Sequence, residues 1–203
     1  MWIFLAITVV VGYLMGNLNG AICASKALGD DVRTHGSGNA GLTNFIRNYG
    51  ASKSLVVIVI DAGKAVLSCL LGGFLLGKTL GFEAGAAIGG TAVLLGHVFP
   101  VFLGFRGGKG ILSGFFIAVM VDYRIALVLL AVFAIVYLIS GYVSLGSVLA
   151  AVSFSAAFGV FYWNNPIVMP CGVFMGLLAA VMHWQNIVRL FKGEERKTNL
   201  FKK

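Results

Sequence analysis

The sequence predicts an all-α bundle that crosses a membrane seven times, and three observations carry that prediction. The 203 residues are 59% hydrophobic and 11% charged, with a mean hydropathy of +0.96, far too apolar for a water-soluble domain of ordinary composition. Apolar runs recur along the whole chain with brief polar loops between them. The basic residues gather in alternate loops, as they do where cytoplasmic loops hold Lys and Arg.

The runs fall at residues 2–23, 55–76, 84–103, 111–121, 125–139, 143–162 and 167–182. A hydrocarbon core of roughly 30 Å takes about 20 helical residues, so all but the fourth and fifth runs are long enough to span. The first run has no basic segment ahead of it and carries Gly12, Gly16 and Gly20 at intervals of four. It reads as a retained helix with a close-packing face, not a cleaved signal. The same spacing at Gly81, Gly85 and Gly89, and at Gly172 and Gly176, predicts further tight helix contacts.

The second run contains Asp61 and Lys64, two ionisable residues one turn apart. Intramembrane charges are functional candidates, but the i, i+3 spacing equally fits an internal ion pair holding the helix in its bundle. Asp122-Tyr123-Arg124 divides the fourth and fifth runs, and charge placement favours two short helices over one interrupted helix. Seven crossings with the N-terminus outside put Lys26, Arg33, Arg47, Lys53, Arg106, Lys109, Arg189, Lys192, Arg196, Lys197, Lys202 and Lys203 inside, leaving only Lys78 and Arg124 facing out. Six crossings would set the basic tail opposite the 33–53 loop. Short helices of this kind are tolerated beside other helices or a water-filled cavity. A chain of this length leaves room for one domain, residues 1–203, and no second.

The net charge of +8 does not indicate nucleic acid, because the basic residues flank apolar runs and no soluble binding module separates them. Cys23, Cys69 and Cys171 are scattered without ligand spacing and read as small packing residues. No metal cluster or low-complexity tract stands out in the sequence.

Three segments carry candidate chemistry. The first polar loop reads His35-Gly36-Ser37-Gly38-Asn39-Ala40-Gly41-Leu42-Thr43-Asn44-Phe45-Ile46-Arg47. Its glycines let backbone N–H groups converge on an anion, and Arg47 can add a bidentate contact. The same composition fits a flexible loop whose Ser and Asn cap the next helix. In the second, 96–113, Gly107, Gly108 and Gly110 bare the backbone around Lys109 just before a helix begins at its positive end. Plain positive-inside anchors would not need three glycines, so an anion site is favoured there. It is not a Walker A loop, since Leu103 stands at the first glycine position and Gly110 replaces the Ser/Thr. The third places His183, Asn186 and Arg189 along one helix side at i, i+3 and i+6, although a histidine at a helix end also commonly just tips toward water. Ser144 and Ser147 after Tyr142 are weaker candidates that could bond back to their own helix.

Together these pieces resemble the bacterial acyl-phosphate:glycerol-3-phosphate acyltransferase family. The resemblance rests on Gly36-Ser37-Gly38-Asn39 with Thr43-Asn44 and Arg47, Asp61 with Lys64, Gly96-His97 with Pro100, and Gly107-Gly108-Lys109-Gly110. Tyr142-Val143-Ser144 with Ser147, and His183 with Asn186, Arg189-Leu190, Gly193 and Glu194, complete it. It covers nearly the whole chain. Departures are Trp184 and Gln185 where the family usually carries Arg and Ser, Arg106 at a Lys position and Ser113 at a Thr position, which leaves a basic contact near Trp184 open.

The resemblance implies a multi-pass enzyme of the cell inner membrane, with its site at the cytoplasmic face, N-terminus outside and C-terminus inside. Such an enzyme moves a fatty acyl group from acyl phosphate to the sn-1 hydroxyl of glycerol-3-phosphate in phospholipid biosynthesis, releasing lysophosphatidate and inorganic phosphate. On it, Lys109, Ser37, Asn39 and His183 are expected to be catalytic. Gly36, Gly38, Thr43, Asn44, Arg47, His97, Gly107, Gly108, Gly110, Ser144, Ser147 and Asn186 are expected to bind substrate phosphate or glycerol-3-phosphate. No cofactor, metal, nucleic acid or obligate protein partner is expected, and membrane lipid is.

The residues agree with that transfer, because two anion sites and an apolar slot are what two phosphate-bearing substrates need. No His-x4-Asp pair exists, since Ala40, Phe102 and Val188 occupy the fifth positions after the three histidines, which argues against the other common glycerol-phosphate acyltransferase type. The competing class is a transporter of a small phosphorylated solute, which would place polar groups at mid-membrane on several helices. A non-catalytic membrane anchor would leave the glycine-rich polar loops without a purpose.

Overall fold

The computed structural model describes residues 1–197, so Lys202 and Lys203 of the expected basic tail lie outside the described residues. Among the described residues the chain is helical with no strand. Contacts divide it into two compact units, residues 1–122 and the remainder from Tyr123 onward.

The first unit opens with α1 (Trp2–Gly16) and α2 (Gly20–Ala27), where the sequence predicts one continuous helix. The pair bends by 41° at Asn17-Leu18-Asn19. Asn19 adopts an extended backbone and accepts from the Ile22 N–H, capping α2, while Asn17 reaches back to the Tyr13 carbonyl and accepts from the Phe102 N–H. Amphipathic α3 (Leu42–Tyr49) follows the first polar loop.

The long helices α4 (Ser54–Leu80) and α5 (Phe82–Val98) form a hairpin joined through Gly81 alone, whose φ of 87° suits glycine. A β-carbon on Gly72 would run into the Gly85 carbonyl, and one on Gly16 into the Val93 carbonyl, so the four-residue glycine spacing does bring backbones together. The 11-residue α6 (Ile111–Val121) packs on α4 and α5 and ends at Asp122, whose φ of −159° is extended.

The second unit stacks α7 (Tyr123–Ser140), α8 (Val143–Phe161) and α9 (Val168–Met182) in sequence, with α10 (Trp184–Phe191) turned 51° from α9 and resting on α8. Tyr123 and Arg124 join the fifth apolar run, and α7 reaches 18 residues, so of the two short runs only the fourth stays short. Four long helices, two bent pairs and α6 together give the seven apolar segments of a membrane bundle. Large apolar side chains such as Trp2, Phe74, Ile139 and Phe191 point outward, which suits lipid and not water.

Candidate functional site

In the first unit, both glycine-rich loops sit over the α1–α2 break, and buried polar side chains fasten them there. The first loop lies on a small core of Ala21, Ile22, Ala24, Val32, Ala40, Phe45 and Val57. Asn44, 2% exposed, is its hub. The amide donates to the carbonyls of Val32, His35 and Asn39 at 3.0, 3.0 and 3.1 Å, and Oδ1 accepts from the Ser37 N–H at 3.1 Å. Asn44 therefore shapes the loop, where the sequence expectation has it binding substrate.

The expected nest of converging N–H groups is also revised. The Ser37, Gly38 and Gly41 amides are engaged inside the loop, on Asn44 Oδ1, the His35 carbonyl and the Asn39 carbonyl. What the loop offers an anion is then side chains: Ser37 and Arg47 are exposed, and Asn39 and Thr43 half-buried. Helix α3 is capped by Gly41 with no side-chain bond, so Ser37 and Asn39 are not its caps.

The rim is a charged network. Arg33 pairs with Asp31 at 2.7 Å and holds that carboxyl down at about 2. Hydrogen bonds from His35 and Tyr49 hold Asp30 below the usual carboxylate range. In return burial and the bond to Asp30 push the Tyr49 hydroxyl up to about 12.

Beneath the loops lies a buried cluster of Asp61, Lys64 and His97, exposed by 2%, 4% and 4%. Lys64 Nζ meets Asp61 Oδ1 at 2.8 Å, the Leu18 carbonyl at 2.6 Å, the Gly16 carbonyl at 3.3 Å and His97 Nδ1 at 2.7 Å. Asp61 Oδ1 accepts from the Gly20 N–H at 3.1 Å. The ion pair thus satisfies backbone groups released by the helix break, at a depth where water cannot do so. This supports the structural alternative for Asp61 and Lys64 and gives the pair a specific object.

The second loop is stapled to the first. Arg33 donates to the Leu103 carbonyl at 3.2 Å, and the first loop is itself held to the α1–α2 break by Asn19, which donates to the Ala40 carbonyl at 3.0 Å. The Gly108 N–H donates to the His97 carbonyl at 3.1 Å. A β-carbon on Gly108 would strike His97 Nε2 and come within 2.8 Å of the Ala40 carbonyl. The Gly108 amide is therefore not a phosphate donor, and the bareness of Gly107 and Gly108 serves packing on His97. Lys109, half-buried, stands next to Gly110, the left-handed N-cap of α6 (φ 84°). His97 supports this loop from below.

The second unit holds a separate polar cluster. His183 sits at the α9–α10 break, and its Nδ1 donates to the Ala179 carbonyl at 2.7 Å, which fixes the acceptor lone pair of the neutral ring on Nε2. Asn186 donates to Glu195 Oε1 at 3.0 Å and Arg189 Nε to Oε2 at 2.8 Å. Burial works to raise the Glu195 carboxyl, and Arg189, Asn186 and Ser144 outweigh it, holding it below the ordinary value. Ser144, buried in the first turn of α8, faces that carboxylate and steadies its charge. Ser147 is buried one turn further on.

Sequence reading missed Asn19 and Glu195. A polar pair, Asn17 and Asn19, inside an apolar run was the available signal for the first. For the second, the resemblance points to Glu194, but Glu194 is exposed and its neighbour Glu195, 9% exposed, turns inward.

A model of the glycerol-3-phosphate acyltransferase family matches residues 6–193, a stretch that runs through both units. A glycerol-3-phosphate acyltransferase of Thermoanaerobacter sp. (strain X514) is 37% identical over 195 residues, 96% of each chain. One from Finegoldia magna is 35% identical over 198 residues, 97% of each chain. Among solved structures, the glycerol 3-phosphate form of PlsY (YgiH), an integral membrane glycerol 3-phosphate acyltransferase, superposes with a TM-score of 0.85 at 31% identity, covering 98% of this chain and 99% of that one. Its lysophosphatidic acid form gives 0.82 at 30% identity, covering 96% and 95%.

Proposed function

Since the chain belongs to the glycerol-3-phosphate acyltransferase family, we propose that it acylates the sn-1 hydroxyl of glycerol-3-phosphate with acyl phosphate as donor, making lysophosphatidate and inorganic phosphate. The observation that carries this reading is Lys109, fixed at the N-terminus of α6 on a loop stapled to His97 and Ala40. A cation held at the positive end of a helix is suited to an anion that gains charge during reaction.

The hydroxyl oxygen attacks the acyl carbonyl carbon, the bond from that carbon to the phosphate oxygen breaks, and the hydroxyl proton passes to the departing phosphate. Phosphate is already a good leaving group, so alignment and charge neutralisation supply most of the catalysis. In the first unit Lys109 neutralises phosphate charge, with Ser37, Asn39, Thr43 and Arg47 contributing side-chain contacts at the loop. Asn44, Gly36, Gly38, Gly107, Gly108 and Gly110 set the loop shapes. In the second unit Ser144, Ser147, His183 and Asn186 orient glycerol-3-phosphate.

Acyl phosphate is preferred to a carrier-bound acyl donor because the loops are short and leave little soluble domain to hold a nucleotide-sized or protein carrier. We assign the enzyme to the cell inner membrane as the resemblance implies, with its N-terminus outside and the loops around Ser37 and Lys109 in the cytoplasm, an orientation that the basic-residue distribution supports. The pair that a transporter would need at mid-membrane, Asp61 and Lys64, is engaged on the α1–α2 break.

The test is reconstitution of purified protein with acyl phosphate and glycerol-3-phosphate. Lysophosphatidate and phosphate formed in equal amounts is the expected result. Phosphate release without lysophosphatidate, or equal turnover with acyl-CoA, would count against it.

A further inference from the structure

We propose that His97 is a positioning residue: Lys64 fixes its ring, the ring sets the seat of Gly108, and that seat aims Lys109. The inference rests on the assignment of Lys109 to the transfer made above.

His97 is 4% exposed and enclosed by the loop it supports, so it is placed to act through that loop and not by touching substrate. Its Nδ1 lies 2.7 Å from Lys64 Nζ and 3.6 Å from Asp61 Oδ1. An ammonium can only donate, so Nδ1 is the acceptor and the ring proton sits on Nε2. Nε2 is the edge that faces Gly108, since a β-carbon there would collide with it and come within 2.9 Å of Cε1. The backbone of His97 completes the clamp, its carbonyl accepting from Gly108 N–H at 3.1 Å and closing over Gly107 as well. Backbone and ring of one residue therefore grip two consecutive glycines directly before Lys109.

Lys64 in turn is anchored on the Leu18 and Gly16 carbonyls of the broken span, and the Ala40 carbonyl of the first loop crowds the same face of Gly108 as the His97 ring. The height of the Lys109 loop is thus referenced to the α1–α2 break through a single imidazole, and to the first loop through the close approach of Ala40 to Gly108. Displacing a reacting group by about 1 Å can cost on the order of 10²-fold in rate, which is why such a reference matters.

A double-mutant cycle tests this, run with whichever acyl donor the wild type consumes. His97→Asn keeps an acceptor oxygen near the Nδ1 position for Lys64 but removes the ring edge under Gly108. Expected is a loss of about 10–100-fold in kcat, an unchanged KM for glycerol-3-phosphate, and a melting temperature close to wild type. Expected too is that His97→Asn adds little in a Lys109→Ala background, because both changes remove the same charge contact. Gly108→Ala, which pushes the loop off the ring, serves as the second variant if His97→Asn does not fold and should give the same kcat-only, non-additive loss. Losses that multiply in the double variant, with Lys109→Ala itself impaired, overturn the positioning role alone. So does a raised KM at unchanged kcat, which would mean that the ring meets substrate. Full activity of Lys109→Ala overturns both this inference and the role given to Lys109.

Discussion

Replacing Lys64 by methionine isolates what the buried ion pair does for the fold. Methionine nearly matches the lysine stem in volume, so the main losses are the contacts of Nζ to Asp61, to the Leu18 and Gly16 carbonyls and to His97. Removing one member of a buried pair costs about 3–5 kcal/mol, because the remaining charge is stranded. For a chain of this size each kcal/mol moves the melting temperature by roughly 2–4 °C, so Lys64→Met should melt about 6–20 °C below wild type. Adding Asp61→Asn removes the stranded charge while leaving an oxygen for the Gly20 N–H. The double variant should therefore recover part of the loss, with a deficit of about 1–3 kcal/mol from carbonyls still unpaired at the break. Melting followed by intrinsic fluorescence in one detergent decides the matter. A single variant within about 2 °C of wild type, or a double variant less stable than the single, would refute the claim that the pair exists to satisfy the broken helix.

Lys109→Ala should lower kcat by about 10²–10³, the usual effect of deleting one transition-state charge contact, with binding of glycerol-3-phosphate little changed in a steady-state assay. His183→Ala should chiefly raise the KM for glycerol-3-phosphate; abolished turnover at saturating substrate, with one limb of the rate–pH profile lost near neutrality, would make His183 the base in place of the donor phosphate. Asp31, held at about 2 by Arg33, has a folded value below its unfolded value of about 3.9, so its contribution is whole above that value and is lost as pH falls toward 2. The wild type should thus melt slightly above Asp31→Asn at pH 7, by an amount worth about 0.2–1 kcal/mol, and that gap should close between about pH 4 and pH 2.

The membrane architecture was legible because lipid imposes length and hydropathy on every span, and those are properties of residues taken in order. The 111–121 helix keeps the limits read from the sequence, since Gly110 and Asp122 are conformational stops that any reader can see. The α1–α2 break was not legible. Asn17 and Asn19 hint at it within an otherwise apolar run, but the break is stabilised by Asp61, Lys64 and Phe102, which only the fold brings near Asn17 and Gly20. The loops' glycines advertised phosphate chemistry, but the Ser37, Gly38, Gly41 and Gly108 N–H groups have internal partners, two of which, Asn44 and His97, come from helices whose approach no local spacing encodes. Glu195 was not legible for the same reason: adjacent glutamates have equal claims until a packed neighbour, here Arg189 with Asn186, selects one.

Several key residues fall where a helical run is interrupted: Asn19 at the α1–α2 break, Lys109 between Val98 and Ile111, and His183 at the α9–α10 break. Helix interruption exposes N–H and C=O groups, and in hydrocarbon each unsatisfied one costs several kcal/mol. Side chains must therefore be recruited to satisfy them, and a side chain so recruited is immobilised by the same bonds. Asn19 caps α2 and also holds Ala40; His183 bonds its own preceding turn and thereby has its acceptor edge oriented. Under the proposed function, the energetic demand of breaking a membrane helix and the geometric demand of a stiff anion site would fall on the same residues. Variants at such positions should lower stability and activity together, whereas Lys109→Ala, at a residue assigned to charge neutralisation, should lower activity with the smaller change in melting temperature.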